Sequence, residues 1–105
     1  MSNITFERSG GVTGHEIYLD LDLDSMSEPD ANRLLKLVEK ADFLNIPSNL
    51  GMASSPDEFQ YKITVDNGDE QHSVKTTDTT MPKSLSPLVR ELIMLQAFNK
   101  KVTAR

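Results

Sequence analysis

The segment from Leu34 to Pro47 constrains the fold more than any other part of the sequence. Apolar residues recur in its first half at helical spacing and alternate with charged ones, which predicts an amphipathic helix that ends near Ala41. The residues from Phe43 to Ile46 are too apolar to face solvent, and Pro47 favours an extended backbone just before it. Both the helix and its exit therefore need a surface to pack on, and the only candidates are strands on either side.

Two strands are predicted before this helix. Residues 4–7 alternate between apolar and polar side chains, and the alternation returns more clearly over residues 16–24. Three glycines between them, in the segment from Arg8 to Gly14, indicate a loop with unusual backbone conformations. We expect the two strands to form an antiparallel hairpin.

A second hairpin is predicted after the helix. Apolar residues alternate from Phe59 to Val65, and Asn67-Gly68 favours a two-residue turn with positive φ at both positions. Such a turn would set Ile63 opposite His72 and Tyr61 opposite Val74.

A second amphipathic helix is predicted from Pro82 to Leu95. Pro87 would cost about 3 kcal/mol inside a helix, so the spacing predicts either a kink or a fresh start capped by Ser86. The polar tail, residues 99–105, is expected to fray. The order is then ββαββα, which predicts a single α+β domain over residues 1–105, with two helices on one face of a four-stranded antiparallel sheet.

Composition narrows the possible partners and location. The 105 residues carry a formal net charge of −5, which disfavours nucleic acid as a partner because such binders need a basic face. The chain has no cysteine, and its first residues lack the basic and apolar stretches of a signal peptide. No apolar run approaches the ~20 residues that span a bilayer. These features favour a cytoplasmic protein with no membrane association.

The sequence offers little material for catalysis. His15 and His72 are the only histidines, and neither has the spacing of a metal-binding motif. Asp20, Asp22 and Asp24 alternate along a strand and are interpreted as a solvated acidic face, since a calcium loop would need a glycine turn and a distal glutamate. We therefore expect no catalytic residue, metal, cofactor or small-molecule substrate. The chain is interpreted as a non-enzymatic binding module.

Two loops are the candidates for a contact surface. The first places glycines around an apolar side chain, and the second places apolar side chains beside a glycine within the segment of residues 48–57. The candidate partner-binding residues are Gly10, Gly11, Val12, Gly14, Leu50, Gly51 and Met52. Taken alone, each loop fits an ordinary connection better than a contact surface. They remain candidates because exposed apolar side chains on a rigid scaffold are what small binders insert into clefts.

Several segments taken together resemble a known family. They are Phe6 to Gly11, Leu37 to Phe43 with Pro47 after it, Asp57 to Val65, and Pro82 to Leu88. In this order they resemble the emfourins, small protein inhibitors of protealysin and related thermolysin-like zinc metalloproteases of bacteria. The resemblance extends over nearly the whole chain.

The resemblance implies an intracellular inhibitor that binds its protease one to one and blocks the active-site cleft. Thermolysin-like enzymes favour a large apolar side chain just after the scissile bond, so Leu50 or Met52 could fill that pocket. Phe43, Leu44 and Ile46 would then hold the base of the second loop against the sheet. The alternative is an interaction or regulatory module with no protease target. An enzyme that uses a histidine with the aspartate row is the least favoured interpretation.

Overall fold

Four antiparallel strands form one sheet, and two helices lie against one of its faces. The computed structural model describes residues 2–10, 16–51 and 57–103, the last seven of these by their backbone alone. The strands are β1 (Asn3–Gly10), β2 (Ile17–Asp22), β3 (Phe59–Asp66) and β4 (Gln71–Thr77), and the helices are α1 (Glu28–Lys40) and α2 (Ser86–Thr103). The predicted α+β class and ββαββα order are confirmed.

The two hairpins merge through β1 and β3. The strand order is β2-β1-β3-β4, with every neighbouring pair antiparallel. Ile4 pairs with Leu21 on one side and Val65 on the other, so apolar residues of neighbouring strands share a face. The two helices cover that face, and Leu34 of α1 and Leu88 of α2 are fully buried against it.

The turn between β3 and β4 differs from its prediction. Four residues, 67–70, connect the strands, and Ile63 pairs with Val74 instead of His72. Gly68 has a positive φ of 96° but Asn67 does not, because the Asn67 Oδ1 atom accepts hydrogen bonds from the backbone N–H groups of Asp69 and Glu70. The predicted register was wrong by two residues. Such a shift leaves every side chain on the same face, so the apolar alternation could not reveal it.

The exit from α1 turns sharply onto the sheet. Asp42 takes a left-handed conformation, with φ of 53°, and a short 3-10 helix (Phe43–Asn45) follows. Phe43 is only 1% exposed and Ile46 is also buried, as predicted. Leu44 is 40% exposed, so the expectation that it packs against the sheet was wrong. In a 3-10 turn, residues three apart lie on the same side, so Phe43 and Ile46 face the core together while Leu44 points elsewhere.

Helix α2 begins afresh instead of kinking. A single turn closes when the Leu85 N–H donates to the Pro82 carbonyl at 3.0 Å, and the helix itself starts at Ser86. Pro87 therefore lies in the first turn, where its missing N–H breaks no helical hydrogen bond. Over the part of the chain that the structure describes, neither helix is long and apolar enough to cross a membrane.

Candidate partner-binding surface

The sheet register brings three connections to one end of the molecule. The last residue of β1, Gly10, lies opposite Phe59, the first residue of β3. The last residue of β4, Thr77, lies opposite Gln60. The connection after β1, the segment leading into β3 and the connection after β4 therefore meet at the same edge. We call this edge the loop end, and its described residues are 10, 16, 48–51, 57, 58 and 78–81.

The predicted binding residues divide into two groups. Gly10, Leu50 and Gly51 are described by the structure, and all three lie at the loop end. Four others lie outside the described residues, namely Gly11, Val12, Gly14 and Met52. The described parts of both predicted loops thus belong to one end of the sheet.

Two of these positions require glycine. Gly10 has a φ of 87°, and a Cβ atom there would lie 3.0 Å from the Glu58 carbonyl oxygen. Gly51 has a φ of 128°, and a Cβ atom there would lie 3.2 Å from the Thr80 Cγ2 atom. Both the backbone conformation and the close approach exclude larger residues without rearrangement.

The segment around Leu50 is more fixed than the sequence suggested. The Lys75 N–H donates to the Ser48 carbonyl at 2.8 Å, and the Leu50 N–H donates to the Lys75 carbonyl at 2.9 Å. Asn49 forms a parallel bridge with the same residue. Leu50 is partly buried against the core, whereas the sequence analysis treated it as an exposed apolar side chain. The segment is a short addition to the edge of β4.

His72 holds the residues just before this segment. Its Nε2 atom lies 2.6 Å from the Ile46 carbonyl oxygen, and its ring meets the Phe43 ring edge-on with centroids 5.6 Å apart. Because a carbonyl can only accept, the Nε2 atom carries the proton and donates it. The histidine therefore has a structural role, joining the exit of α1 to β4.

Threonine hydroxyls fix the connection after β4. The Thr80 Oγ1 atom accepts from the Thr77 N–H at 2.9 Å and lies 3.1 Å from the Thr76 hydroxyl. The Thr79 N–H donates to the Glu58 Oε1 atom at 2.6 Å, which links this connection to the segment before β3. Because Thr80 also limits the space at Gly51, one network positions two of the three connections.

Asp78 links the connection after β4 to the start of β3. Its carboxylate accepts from the Phe59 N–H at 2.9 Å and from the Tyr61 hydroxyl at 2.6 Å. Burial, together with the bond to Asp78 and its charge, raises the pKa of Tyr61 to about 12, although nearby Arg8 acts in the opposite direction. The Arg8 guanidinium lies 4.2 Å from the centre of the Phe59 ring, a cation–π contact.

A family model establishes the relationship suggested by the sequence. The model for emfourin matches residues 6–93. The chain belongs to the emfourin family. The matched range begins in β1 and ends in α2, so it contains the whole loop end. Membership in the emfourin family implies a role in inhibiting metalloproteases in general. Comparison with curated proteins and with solved structures gave no match.

The emfourin scaffold depends on residues that sequence reasoning missed. Asp78, Thr80 and Glu58 hold the described part of the loop end together, yet the sequence analysis gave none of them a role. The run of threonines around Asp78 was the available signal, since short polar side chains often bond to nearby backbone. Within the described residues, no group of three or more histidine, aspartate or glutamate side chains is arranged to hold a metal ion.

Proposed function

We propose that this emfourin inhibits a thermolysin-like, protealysin-like zinc metalloprotease by placing its loop end in the active-site cleft, with one inhibitor per enzyme. Family membership supports inhibition of a metalloprotease. The class of target, the cleft and the stoichiometry are the proposal. It also implies a protein that works by binding and catalyses nothing itself.

The observation that carries the proposal is that hydrogen bonds already hold the loop end in the free chain. Asp78 connects the start of β3 to the connection after β4, and Glu58 makes a second link through the Thr79 N–H. A loop that is ordered before binding loses less conformational entropy when it binds. A rigid loop end therefore suits a tight inhibitor of a preformed cleft.

The apolar contact is assigned to residues of the two predicted loops. Leu50 is partly buried against the core, so its side chain helps to hold the segment in place. Met52, two residues further on, is the candidate for the pocket that follows the scissile bond, and Gly51 between them allows close backbone approach. Val12, flanked by glycines in the first loop, is the candidate for the second edge of the contact.

Inhibition constants against a panel of thermolysin-like proteases test this proposal. Met52→Asp and Val12→Asp are each expected to raise the inhibition constant by more than about tenfold, or ~1.4 kcal/mol, with little change in melting temperature. Met94→Asp is the matched control, because it makes the same change at a methionine of α2 that is 66% exposed. Active-site titration of the sensitive protease should reach its end point at one inhibitor per enzyme.

Two outcomes would contradict different parts of the proposal. If Met52→Asp and Val12→Asp both inhibit within about tenfold of the wild type, the assigned contact is wrong. If the wild-type protein inhibits no protease of the panel, the function is wrong, and a regulatory module without a protease target becomes the better interpretation. Leu50→Asp is informative only alongside its melting temperature, because that side chain packs against the core.

A further inference from the structure

The sheet face opposite the helices carries polar side chains in rows that run across all four strands. We call it the open face. From the loop end, the rows are Ser9, Gln60 and Thr77; then Tyr18, Glu7, Lys62 and Lys75; then Asp20, Thr5, Thr64 and Ser73; and last Asp22, Asn3, Asp66 and Gln71.

Charge is unevenly distributed along the open face. Carboxylates dominate the row farthest from the loop end, whereas the second row holds two lysines and one carboxylate, Glu7. Lys62 of β3 and Lys75 of β4 lie directly opposite each other. Like charges at opposed positions destabilise a sheet, so this pair has an unfavourable contribution within the chain, which Glu7 on the other side of Lys62 offsets in part.

Neither lysine forms an ion pair. Among the residues that the structure describes, neither ammonium group lies within 4.0 Å of a carboxylate oxygen. Glu7 lies opposite Lys62 across the strands, whereas Lys75 has only Lys62 opposite it on β3. The lysine pair therefore keeps a net positive charge that an outside ligand can reach.

The lysines line a concavity that is continuous with the loop end. Its volume is about 450 Å³, and its wall includes Lys62, Lys75 and one carboxylate, Glu7. Asn49 and Gly51 of the second loop form another part of the wall. The backbone of Lys75 is hydrogen-bonded to Ser48 and Leu50. A partner that contacts the second loop would thus also face the two lysines.

We propose that this concavity is a second contact with the inhibited metalloprotease and that it receives carboxylate side chains from the enzyme surface beside the cleft. This inference rests on the proposed function. A carboxylate between Lys62 and Lys75 would relieve their mutual repulsion and pair with both charges. The acidic row at the other end of the open face repels the same enzyme surface, so the charge pattern favours one docking orientation.

Charge reversal at the two lysines tests the inference. Lys62→Glu combined with Lys75→Glu is expected to raise the inhibition constant against a sensitive protease by more than about tenfold at low ionic strength, and the increase should shrink as salt screens the charges. The matched control is Lys36→Glu combined with Lys40→Glu, which makes the same change in net charge at exposed positions of α1. The control should stay within about threefold of the wild type.

A second variant separates binding from stability. Lys75→Gln removes one of two opposed charges, so its melting temperature should equal or exceed that of the wild type while inhibition weakens. A purely structural role for Lys75 would instead lower the melting temperature and leave inhibition unchanged.

Three outcomes would overturn the inference. If the double lysine variant inhibits as well as the wild type, the concavity is not a contact, although the proposed function stands. If the α1 control weakens inhibition equally, net charge is responsible and not the concavity. If the wild-type protein inhibits no protease, the proposed function fails and this contact fails with it.

Discussion

Tyr61 lies where the core of the sheet meets the loop end, and its protonation links stability to pH. Burial and Asp78 favour the neutral phenol, which raises the pKa in the folded chain to about 12, against about 10 in an unfolded one. The folded state therefore holds this proton more tightly. Its contribution to stability is complete below pH 10 and is lost as the pH rises from 10 to 12.

Tyr61→Phe should remove that linkage. The variant keeps the ring in the core but loses the bond to Asp78, which should cost about 1–2 kcal/mol of unfolding free energy at neutral pH. It should then lose less stability than the wild type between neutral pH and about pH 11. Urea denaturation at both pH values measures this. Tyr18→Phe is the control, because Tyr18 is 64% exposed. An unchanged alkaline loss in Tyr61→Phe would rule out this role for Tyr61.

The sequence identified some single residues of the loop end but not their partners. Gly10 was predicted because a glycine cluster indicates unusual backbone conformations, and Gly51 because it lies between two apolar side chains. Both have positive φ. The bond from His72 to Ile46 joins residues 26 positions apart, and the bond from Thr79 to Glu58 joins residues 21 apart. Such contacts depend on strand register, which local patterns do not determine.

The element that positions the second loop is the exit of α1. Phe43 fills the space between α1 and β4, and its ring contacts His72, which in turn holds the Ile46 carbonyl. This arrangement gives the exit a structural role, and the proposed contact surface lies in the residues beyond it.

Phe43→Ala tests whether the exit of α1 has this structural role. Because the side chain is fully buried, we expect a loss of about 3–5 kcal/mol in unfolding free energy, measured by urea denaturation. Leu44→Ala is the control in the same 3-10 helix, and its loss should stay below about 1 kcal/mol because Leu44 is 40% exposed. An unchanged melting temperature in Phe43→Ala would mean that the exit does not support the loop.

The sequence predicted the order and type of the elements better than their junctions. Apolar residues alternate along β3 and recur at helical spacing along α1 because each element buries one face. The turn at Asn67 and the start of α2 at Ser86 depend on individual hydrogen bonds. Apolar pattern therefore predicts which residues face the core, and polar side chains decide where a strand or helix ends.

At the scale of the whole molecule, the sheet has two dissimilar ends. They are about 23 Å apart, since β1 extends over seven residue steps of ~3.3 Å each. The loop end carries the proposed contacts. At the opposite end, Asp20, Asp22 and Asp66 line a concavity of about 550 Å³.

Neutralising the opposite end should leave inhibition intact. Asp20→Asn combined with Asp66→Asn preserves side-chain shape and keeps an acceptor for the Asn3 amide and for the Gly68 N–H. We expect an inhibition constant that stays within about threefold of the wild type or falls, since less negative charge would repel an acidic enzyme surface. An increase of more than about tenfold, in a variant that still folds, would place a contact at this end and contradict the assignment to the loop end.

The parallel bridge at Lys75 has a consequence for self-association. An edge strand with free backbone donors and acceptors can pair with a second copy and start aggregation. On β4, the N–H and carbonyl of Lys75 are already bonded to Ser48 and Leu50. On β2, the alternating aspartates would oppose their own counterparts in an antiparallel copy. The segment that fixes Gly51, a proposed contact residue, therefore also shields the sheet from its own copies, and mutations that loosen it would reduce solubility as well as any affinity that depends on Gly51.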